Sequence, residues 1–456
     1  MESNVNPLAL LLLVVASFVI LGSSRRNAVG ALLATAALMP LGQEIAVAGL
    51  HVYFLRILIL VGLCRLLMRR ESVGLRLVAA DKLFLGWVFA GFACELMRGP
   101  SPATFGMLYD VAGVYFIIRI LTRTADDILF YLRVLAVLGV VIAASMTFES
   151  VTHRNPFFVF GGVPEFTTQR GDQFRCQGSF RHPILAGTFG ATLFPLLVGF
   201  WRNVGRGKWL AIAGMIGSLI IIITSASSGP LLTFLAALAG FCLWPMRNTM
   251  RFFRRGVVIL IVGLAMVMNA PVWFLIGKIS GLTGGGGYYR SYLIDEFVRH
   301  FSQWWLIGTS YTANWAGAGI GEVLVANPNM VDITNHYIAQ GVEGGIVGLG
   351  FFLAMIVACF KIVGRFVRGE TEPPVGRILF WAFGVCLAAH CTAFISISYF
   401  DQINVFWLWL LAVIATMPTW VAPKPDQDDS ISATENVGAT PRLRRQWEVE
   451  GTVETR

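Results

Sequence analysis

Charge is what this sequence has least of. Only 13% of its 456 residues are Asp, Glu, Lys or Arg, whereas 56% are hydrophobic. A soluble domain carries about 25% charged residues. The composition therefore excludes a soluble protein and indicates a polytopic helical membrane protein.

Signatures of metal, nucleotide and disulfide chemistry are also missing. Six of the seven cysteines fall inside apolar runs and only Cys176 lies in a long polar stretch, which excludes a disulfide framework and a zinc site. The glycines at 284–287 lack the Gly-Lys-Ser/Thr ending of a phosphate-binding loop, so ATP binding is excluded. The two long polar stretches, about 150–182 and 277–335, hold no Asp-x-Asp pair to bind a metal-chelated nucleotide sugar. We therefore predict chemistry without a metal or other cofactor.

What the chain does contain is apolar runs, and a run of about 20 residues can cross a bilayer as a helix. There are about thirteen, near 7–23, 28–42, 51–68, 83–97, 104–121, 128–149, 183–201, 209–226, 229–246, 256–276, 336–362, 377–398 and 403–421. The first has no basic segment before it and is interpreted as a retained anchor. We predict an all-α fold of about 12–13 transmembrane helices over 1–421, and a disordered polar tail over 422–456.

Basic residues concentrate in the short connections between these runs, which indicates the cytoplasmic side. They are Arg25, Arg26, Arg69, Arg70, Arg76, Lys82, Arg202, Arg206, Lys208, Arg247, Arg251, Arg254, Arg255, Lys361, Arg365, Arg368 and Arg377. Counting helices then puts both long loops on the outer face and the tail in the cytoplasm. Because orientation accounts for these basic residues, no nucleic-acid partner is predicted.

The first external loop brings cationic and titratable side chains to one membrane edge. These side chains are Arg170, Arg175, Arg181 and His182. One interpretation is that the arginines reach lipid head groups. The other is an anion-binding site, favoured because positive charge on the outer face opposes the orientation signal.

The second external loop carries a glycine run that we interpret as a hinge, followed by an amphipathic helix on or near the membrane surface. Its apolar positions are Leu293, Phe297, Phe301 and Trp304. Arg290 would lie in the first turn, where a lone cation is unfavourable to the helix dipole. It needs either a structural partner, Asp295 or Glu296, or an anionic ligand.

His336 follows the second loop at the mouth of an apolar helix. Its spacing of four and seven residues to Gln340 and Glu343 places three polar groups on one helix face. A polar stripe entering a membrane helix points toward protein or a water-filled cavity. The alternative is an interfacial histidine with a satisfied ring. Small residues at 341, 344, 345 and 348 allow close helix packing beside the stripe.

Taken together, five motifs in order resemble the O-antigen ligase and polysaccharide polymerase superfamily over about residues 145–360. They are Phe148-Glu149; Arg175-x-x-Gly178-Ser179-Phe180-x-His182-Pro183; Ser225-Ala226-Ser227-Ser228-Gly229; Arg290-Ser291-Tyr292-Leu293 before Trp305-Leu306-Ile307-Gly308; and His336 with Gly345-x-x-Gly348. The chain departs from the family at Ser228, where arginine is usual, and at Tyr337, where Asn, Ser or Gln is common. It also has leucine three residues after Arg290, at Leu293, where the ligase pattern has leucine four residues on.

The resemblance implies a GT-C-like glycosyltransferase of the bacterial inner membrane with its active site facing the periplasm or exterior. Such an enzyme transfers a glycan from an undecaprenyl-diphosphate carrier to an acceptor hydroxyl. Arg175 and Arg290 match the arginines implied to hold the diphosphate, and His336 matches the histidine implied to act as base. Substrate-binding roles are predicted for six more residues: Arg170, Arg181, His182, Tyr289, Gln340 and Glu343.

Other functions stay open at this point. A polymerase would use a growing glycan as acceptor and a ligase would use lipid A-core; the imperfect match to the ligase motifs favours the polymerase. A lipid-linked glycan transporter would show paired broken helices in two halves, and no such repeat occurs. A non-catalytic membrane scaffold would leave the external arginines without a purpose.

Overall fold

The computed structural model describes residues 6–40, 43–47, 50–205, 207–281, 287–316, 329–370 and 374–420. The helices are α1 (Pro7–Gly22), α2 (Arg25–Leu38), α3 (Phe54–Met68), α4 (Ala79–Arg98), α5 (Pro102–Leu121), α6 (Ala125–Thr152), α7 (Pro183–Asn203), α8 (Lys208–Thr224), α9 (Ser228–Cys242), α10 (Met250–Val267), α11 (Phe274–Gly281), α12 (Gly287–Arg299), α13 (Phe301–Trp304), α14 (His336–Arg368), α15 (Arg377–Ala393) and α16 (Gln402–Thr416). The strands are β1 (Glu44–Val47), β2 (Leu50–Tyr53), β3 (Thr168–Arg170) and β4 (Gln173–Arg175), which form two antiparallel hairpins. The predicted tail, 422–456, lies outside the described residues.

Five of these helices are long and apolar enough to cross a membrane: α5, α6, α7, α14 and the stretch that begins with α16 and ends at Trp420. Four shorter helices, α1, α8, α9 and α15, are also apolar. The prediction of an all-α membrane protein is therefore confirmed in its coarse form. The count of 12–13 spans stays a prediction.

Helix ends differ from the predicted runs where proline or a cap intervenes. The run 256–276 is not one helix: α10 ends at Val267, shortly before Pro271. The run 28–42 was also misplaced, because α2 begins after Ser24 and ends at Leu38, two residues before Pro40. A residue that precedes proline is disfavoured in the α-helical region, which accounts for the end of α2, where Met39 directly precedes Pro40.

The core of the bundle is built around α16. Every residue of α16 is buried except Asn404. It contacts α2, α5, α7, α14 and α15. By contrast, none of the residues of α10 is buried, and its apolar side chains are exposed as lipid-facing side chains would be. The central position of α16 places the loop before it, residues 394–401, among the ends of several helices.

A buried ion pair joins α4 to α5. Asp81 is fully buried and accepts hydrogen bonds from Arg119 Nε at 3.0 Å and from the Tyr115 hydroxyl at 2.7 Å. Its second oxygen accepts from Arg119 Nη2 and from the backbone N–H of Val78, which also caps α4. The carboxylate thus satisfies a guanidinium that is itself only 3% exposed.

We expect Asp81→Ala to destabilise the protein by about 3–5 kcal/mol, because it leaves the buried Arg119 charge without a partner. Glu165→Ala is the matched control, since Glu165 pairs with an Arg154 side chain that is 64% exposed. Such an exposed pair contributes about 0–1 kcal/mol. Thermal unfolding of both variants in the same detergent checks the difference, and equal melting temperatures would contradict it.

Between α10 and α14 lies the amphipathic helix predicted from the sequence; its place on or near a membrane surface stays a prediction. The apolar face of α12 and α13 packs on protein: Leu293 and Trp304 are buried in a cluster with Val331, Ile338 and Val342. Only Phe301 among the predicted apolar positions remains exposed, at 47%. The face is covered by α14 because Gly341 lets the Phe297 and Trp304 rings approach that helix closely. Of the predicted hinge glycines, 284–286 lie outside the described residues.

The loop between α6 and α7 is held in place by Glu149 near the end of α6. This buried carboxylate accepts the backbone N–H groups of Gln177 and Gly178, at distances of 2.8–3.2 Å. The Asn155 side chain donates to the Gly178 carbonyl at 2.7 Å. These bonds fix the segment that runs from β4 to the start of α7.

Candidate functional site

Arg170 lies within electrostatic reach of three other cationic or titratable side chains, two from its own loop and one from α12. Burial lowers the pKa of Arg290, and the Arg170 charge lowers it further. The same two causes, in the same order, lower the pKa of Arg175. His182 is influenced by both Arg170 and Arg175. We call Arg170, Arg175, His182 and Arg290 the cation cluster; Arg170 is the member that influences the other three.

A tight hairpin places two members of this cluster. In the β3–β4 pairing, Arg170 lies opposite Gln173 and Thr168 lies opposite Arg175. Gly171 supplies the positive φ, +59°, that the connecting turn requires. Arg175 Nη2 donates to Ser227 Oγ at 2.7 Å, while its buried Nε has no hydrogen-bond partner. Ser227 thus orients a guanidinium that keeps donor capacity free.

Arg290 has no structural partner of the kind weighed from the sequence. Asp295 is held by Arg299 at 2.8 Å, and Glu296 is shared by Arg299 and His300. Within the part of the chain that the structure describes, neither Arg290 nor Arg170 forms an ion pair. Guanidinium groups that are not paired with a carboxylate are suited to a phosphate-bearing ligand, which the planar donor forks can bind bidentately.

His182 is the N-cap of α7 and is held neutral. Its Nδ1 accepts the backbone N–H of Ile184 at 3.2 Å, which requires an unprotonated nitrogen. Partial burial, followed by the charges of Arg175 and Arg170, lowers its pKa to about 4. The positive charge of the cluster at neutral pH therefore comes from its arginines.

This pKa predicts a pH-dependent contribution to stability. An unfolded histidine takes up a proton near pH 6.5, whereas folded His182 does so only near pH 4. The wild type should therefore lose stability relative to His182→Asn as pH falls from 6.5 to 4, because Asn caps a helix without titrating. We expect this loss in the free energy of unfolding to be less than about 1 kcal/mol, since the side chain is partly exposed to solvent, which screens its charge. Parallel melting-temperature profiles would contradict the assignment.

His336 begins α14 and is buried, with only 5% exposed. Its Nδ1 accepts the backbone N–H of Tyr399 at 3.2 Å and lies 3.4 Å from Ser398 Oγ. An amide N–H can only donate, so the neutral ring carries its hydrogen on Nε2. That Nε2 is buried and has no hydrogen-bond partner. The ring therefore presents an unused donor, whereas the predicted base would need the hydrogen on Nδ1.

Two connections link His336 to the cation cluster. The 394–401 loop that holds its ring also packs Ser396 on Gly229, where a Cβ would lie 2.6 Å from Ser396 Oγ. Gly229 follows Ser227, the partner of Arg175, by two residues. On the other side, the Tyr289 hydroxyl donates to the Asp332 carbonyl, which ties the helix of Arg290 to the segment leading into α14.

Tyr289 is thus placed as a brace between α12 and that segment. Burial, with the Asp332 charge second, raises the pKa of the Tyr289 phenol. Burial also raises the pKa of the Asp332 carboxyl. A phenol that stays protonated keeps donating to the carbonyl and can hold Arg290 beside the start of α14. Its predicted contact with substrate stays a prediction.

Gln340 and Glu343 lie apart from His336. The Gln340 side chain accepts from Trp87 Nε1 at 2.5 Å, and both residues line a cavity of about 60 Å³ between α4, α5 and α14. His336 is not among the residues that line it. Gln340 and Glu343 thus face α4 and α5, whereas the His336 ring faces the 394–401 loop.

The glycines beside this stripe have two roles. Gly344 and Gly348 face Gly91 and Ala90 of α4, which confirms close packing there. Gly345 instead breaks α14, with a φ of +61°. Arg98 Nη1 donates to the carbonyls of Val342 and Glu343 just before the break. The guanidinium therefore satisfies backbone groups that the interrupted helix leaves free.

Arg181 pairs with Asp401 instead of joining the cation cluster. Its Nη1 lies 3.5 Å from Asp401 Oδ2, and both residues line a different cavity. Burial raises the pKa of the Asp401 carboxyl and the Arg181 charge opposes that rise. Of the four first-loop residues singled out in the sequence, three therefore come together and one does not.

Three residues of this region, Ser227, Tyr399 and Asp401, are not predicted from the sequence. Ser227 lies within one of the five motifs, and its hydroxyl accepts the hydrogen bond of Arg175. Asp401 is the only charged residue between α15 and α16, and a carboxylate between two apolar runs was a usable signal. Tyr399 acts through its backbone N–H, which no side-chain pattern reveals.

Comparisons with family models, with curated proteins and with solved structures give no match to this chain. Among the described residues, no group of three His, Cys, Asp or Glu side chains could hold a metal ion. The case for a function therefore depends on the chemistry of the cation cluster and of His336.

Proposed function

We propose that the protein is a membrane glycosyltransferase that transfers a glycan from an undecaprenyl-diphosphate carrier to an acceptor hydroxyl. The observation that carries this proposal is the cation cluster, in which Arg170 acts electrostatically on Arg175 and on Arg290 and none of the three forms an ion pair with a described residue. A diphosphate supplies the missing negative charge. The apolar helices around the cluster suit the polyprenyl chain of the same carrier.

The chemistry requires stabilisation of a leaving group. The acceptor oxygen bonds to the anomeric carbon, the bond from that carbon to the diphosphate oxygen breaks, and the electron pair leaves on the diphosphate. Arg170, Arg175 and Arg290 oppose the charge that develops there, which is the role fixed donors play in transition-state stabilisation. No metal is needed in this proposal, since guanidinium groups carry the positive charge.

We propose that His336 acts through its Nε2–H. A buried donor without a partner costs free energy unless a ligand accepts its hydrogen bond, so its retention favours a role in binding. A diphosphate oxygen is a suitable acceptor, and the departing diphosphate can take the proton of the attacking hydroxyl. The competing proposal, a His336 base, requires the opposite tautomer.

Binding of the carrier tests the proposal without an acceptor. Wild-type protein in lipid nanodiscs should bind undecaprenyl diphosphate but not undecaprenol, and the affinity should fall with rising salt, as phosphate contacts by arginine predict. Equal binding of both lipids would refute a diphosphate site. A transporter would also bind the carrier, and it is distinguished by whether the carrier is moved intact.

Within this proposal the polymerase is favoured over the ligase, because the chain departs from the ligase motifs near Arg290 and at Tyr337. Deletion followed by electrophoresis of surface glycans separates the two. Loss of long chains with one repeat still attached indicates a polymerase of the inner membrane. Loss of capped lipid, with polymer accumulating on the carrier, indicates a ligase that uses lipid A-core.

A further inference from the structure

We infer that a second cavity, between α3, α5 and α16, binds the uncharged sugar end of a glycan acceptor. The cavity has a volume of about 300 Å³, the lower end of the range of about 300–1,000 Å³ for small-molecule sites. The polar residues that line it are Tyr53, Arg56, Asp110, Arg181, Asp401 and Asn404. None of them belongs to the cation cluster.

The polar groups of this cavity are balanced in charge. Arg56 binds Asp110 with Nε and Nη2 at 3.1 Å, and Arg181 faces Asp401 at 3.5 Å. Two guanidinium groups and two carboxylates leave no net charge, but they offer both donors and acceptors. Sugar hydroxyls need both, whereas a phosphate needs donors alone. The cavity is therefore matched to a neutral saccharide and the cation cluster to a diphosphate.

The lining of the cavity is also partly apolar. Met107, Val111 and Val114 contribute from α5, and Val405 and Leu408 contribute from α16. A wall that combines polar and aliphatic side chains suits an amphipathic molecule. A sugar carried on an alkyl chain is such a molecule.

Gly106 of α5 makes room for the Arg56 side chain. Any Cβ at that position would collide with the Arg56 guanidinium. Arg56 directly follows Leu55 in α3. Its backbone carbonyl accepts a hydrogen bond from the Tyr109 hydroxyl at 3.2 Å. The pair with Asp110 is thus held in place on the cavity wall.

The cavity adjoins the loop that holds His336. Asp401 lies two residues after Tyr399, whose backbone N–H binds His336 Nδ1. Asn404 Nδ2 donates to the Tyr399 carbonyl at 3.4 Å. Asp401 also has a positive φ, +50°, which is strained for a non-glycine residue and is found at functional sites. One loop therefore contacts His336 on one side and the sugar-binding cavity on the other.

The identification of the bound sugar as a glycan acceptor rests on the proposed function. Binding of a sugar in the cavity can be tested without any transfer. The probe is an octyl glucoside that carries a diazirine on its alkyl chain, applied to the full chain in lipid nanodiscs. After illumination, mass spectrometry locates the labelled peptides. We expect labelling of α5 near Met107–Val114 and of α16 near Val405–Leu408, displaced by excess octyl glucoside and not by octanol.

Substitutions inside and outside the cavity are compared for their effect on this labelling. Val111→Trp should fill the cavity and reduce this labelling at least tenfold, whereas Val258→Trp, on a residue of α10 that is 60% exposed, should leave it unchanged. Asn404→Leu removes a polar group at nearly constant volume and should reduce labelling even if Val111→Trp does not fold. Arg290→Ala should leave the labelling unchanged.

The results separate this inference from the proposed function. Labelling that persists in both cavity variants, or that octanol displaces as well as octyl glucoside, would overturn the sugar-binding cavity. If a wild-type protein that is labelled as expected fails to release undecaprenyl diphosphate, the proposed function falls and the cavity stands. If transfer occurs, Val111→Trp should raise the KM for the acceptor tenfold or more without changing the affinity for undecaprenyl diphosphate.

Discussion

Replacing Arg290 with alanine should reduce glycan transfer by about 100- to 1,000-fold, the usual effect of removing one fixed donor from a developing negative charge. Arg290 is half-buried on α12 and forms no ion pair with the described residues, since Arg299 and His300 occupy the nearby carboxylates. The loss should appear in kcat and in the affinity for undecaprenyl diphosphate. Folding should be preserved, because no internal hydrogen bond of the Arg290 guanidinium is removed.

Two further variants make this result specific. Arg299→Ala, on the same helix, removes an arginine that is 68% exposed and already paired, so it should retain transfer. Arg290→Lys should recover part of the activity, because lysine keeps the charge but cannot bind a phosphate with a planar fork. Full activity of Arg290→Ala at normal expression, or equal losses in Arg290→Ala and Arg299→Ala, would remove Arg290 from the site.

His336→Ala should also abolish transfer, and the glutamine variant decides what the histidine does. If Nε2–H serves as donor, His336→Gln should retain a measurable fraction of activity, because the glutamine side-chain N–H₂ can also donate. If His336 is a base, His336→Gln should be as inactive as His336→Ala, since a glutamine amide does not take up a proton. We expect the first result, because the Tyr399 amide keeps the hydrogen on Nε2.

The measurement is the initial rate of transfer by purified variants in nanodiscs, with folding checked by thermal unfolding. His300→Gln is the control, since His300 is a partly exposed histidine that contacts Glu296 rather than the cluster. Wild-type activity in His336→Ala would exclude both roles. Equal inactivity of His336→Ala and His336→Gln, with both folded, would favour the base and contradict the donor.

The helices were largely predictable because apolar runs in a membrane protein have few alternatives to helix. The observed helices differ from the predicted apolar runs at two places. The run at 256–276 is interrupted, with α10 ending before Pro271, and the β1–β2 hairpin takes up the start of the run at 51–68. The amphipathic helix α12 was found, but its partner was not. Hydrophobic spacing shows that Leu293 has a face to bury, and it does not show whether lipid or α14 covers that face.

The candidate site was predictable in composition rather than in arrangement. Arg175 and Arg290 were singled out by residue type and position, and Arg170 proved to influence both. Arg181 was grouped with them because it is near in sequence, yet it pairs with Asp401, which is 220 residues later along the chain. The tautomer of His336 depends on a backbone N–H from another loop, so only tertiary structure could reveal it.

Cleavage of the bond between a glycan and its undecaprenyl-diphosphate carrier is best followed with both parts labelled. Purified protein in lipid vesicles is supplied with a carrier labelled in its glycan and in its diphosphate, together with a glycan acceptor. We expect free undecaprenyl diphosphate to appear in equal amount to glycan joined to the acceptor, in the presence of a metal chelator. A carrier that stays intact, whether it remains in place or crosses the bilayer, would contradict it.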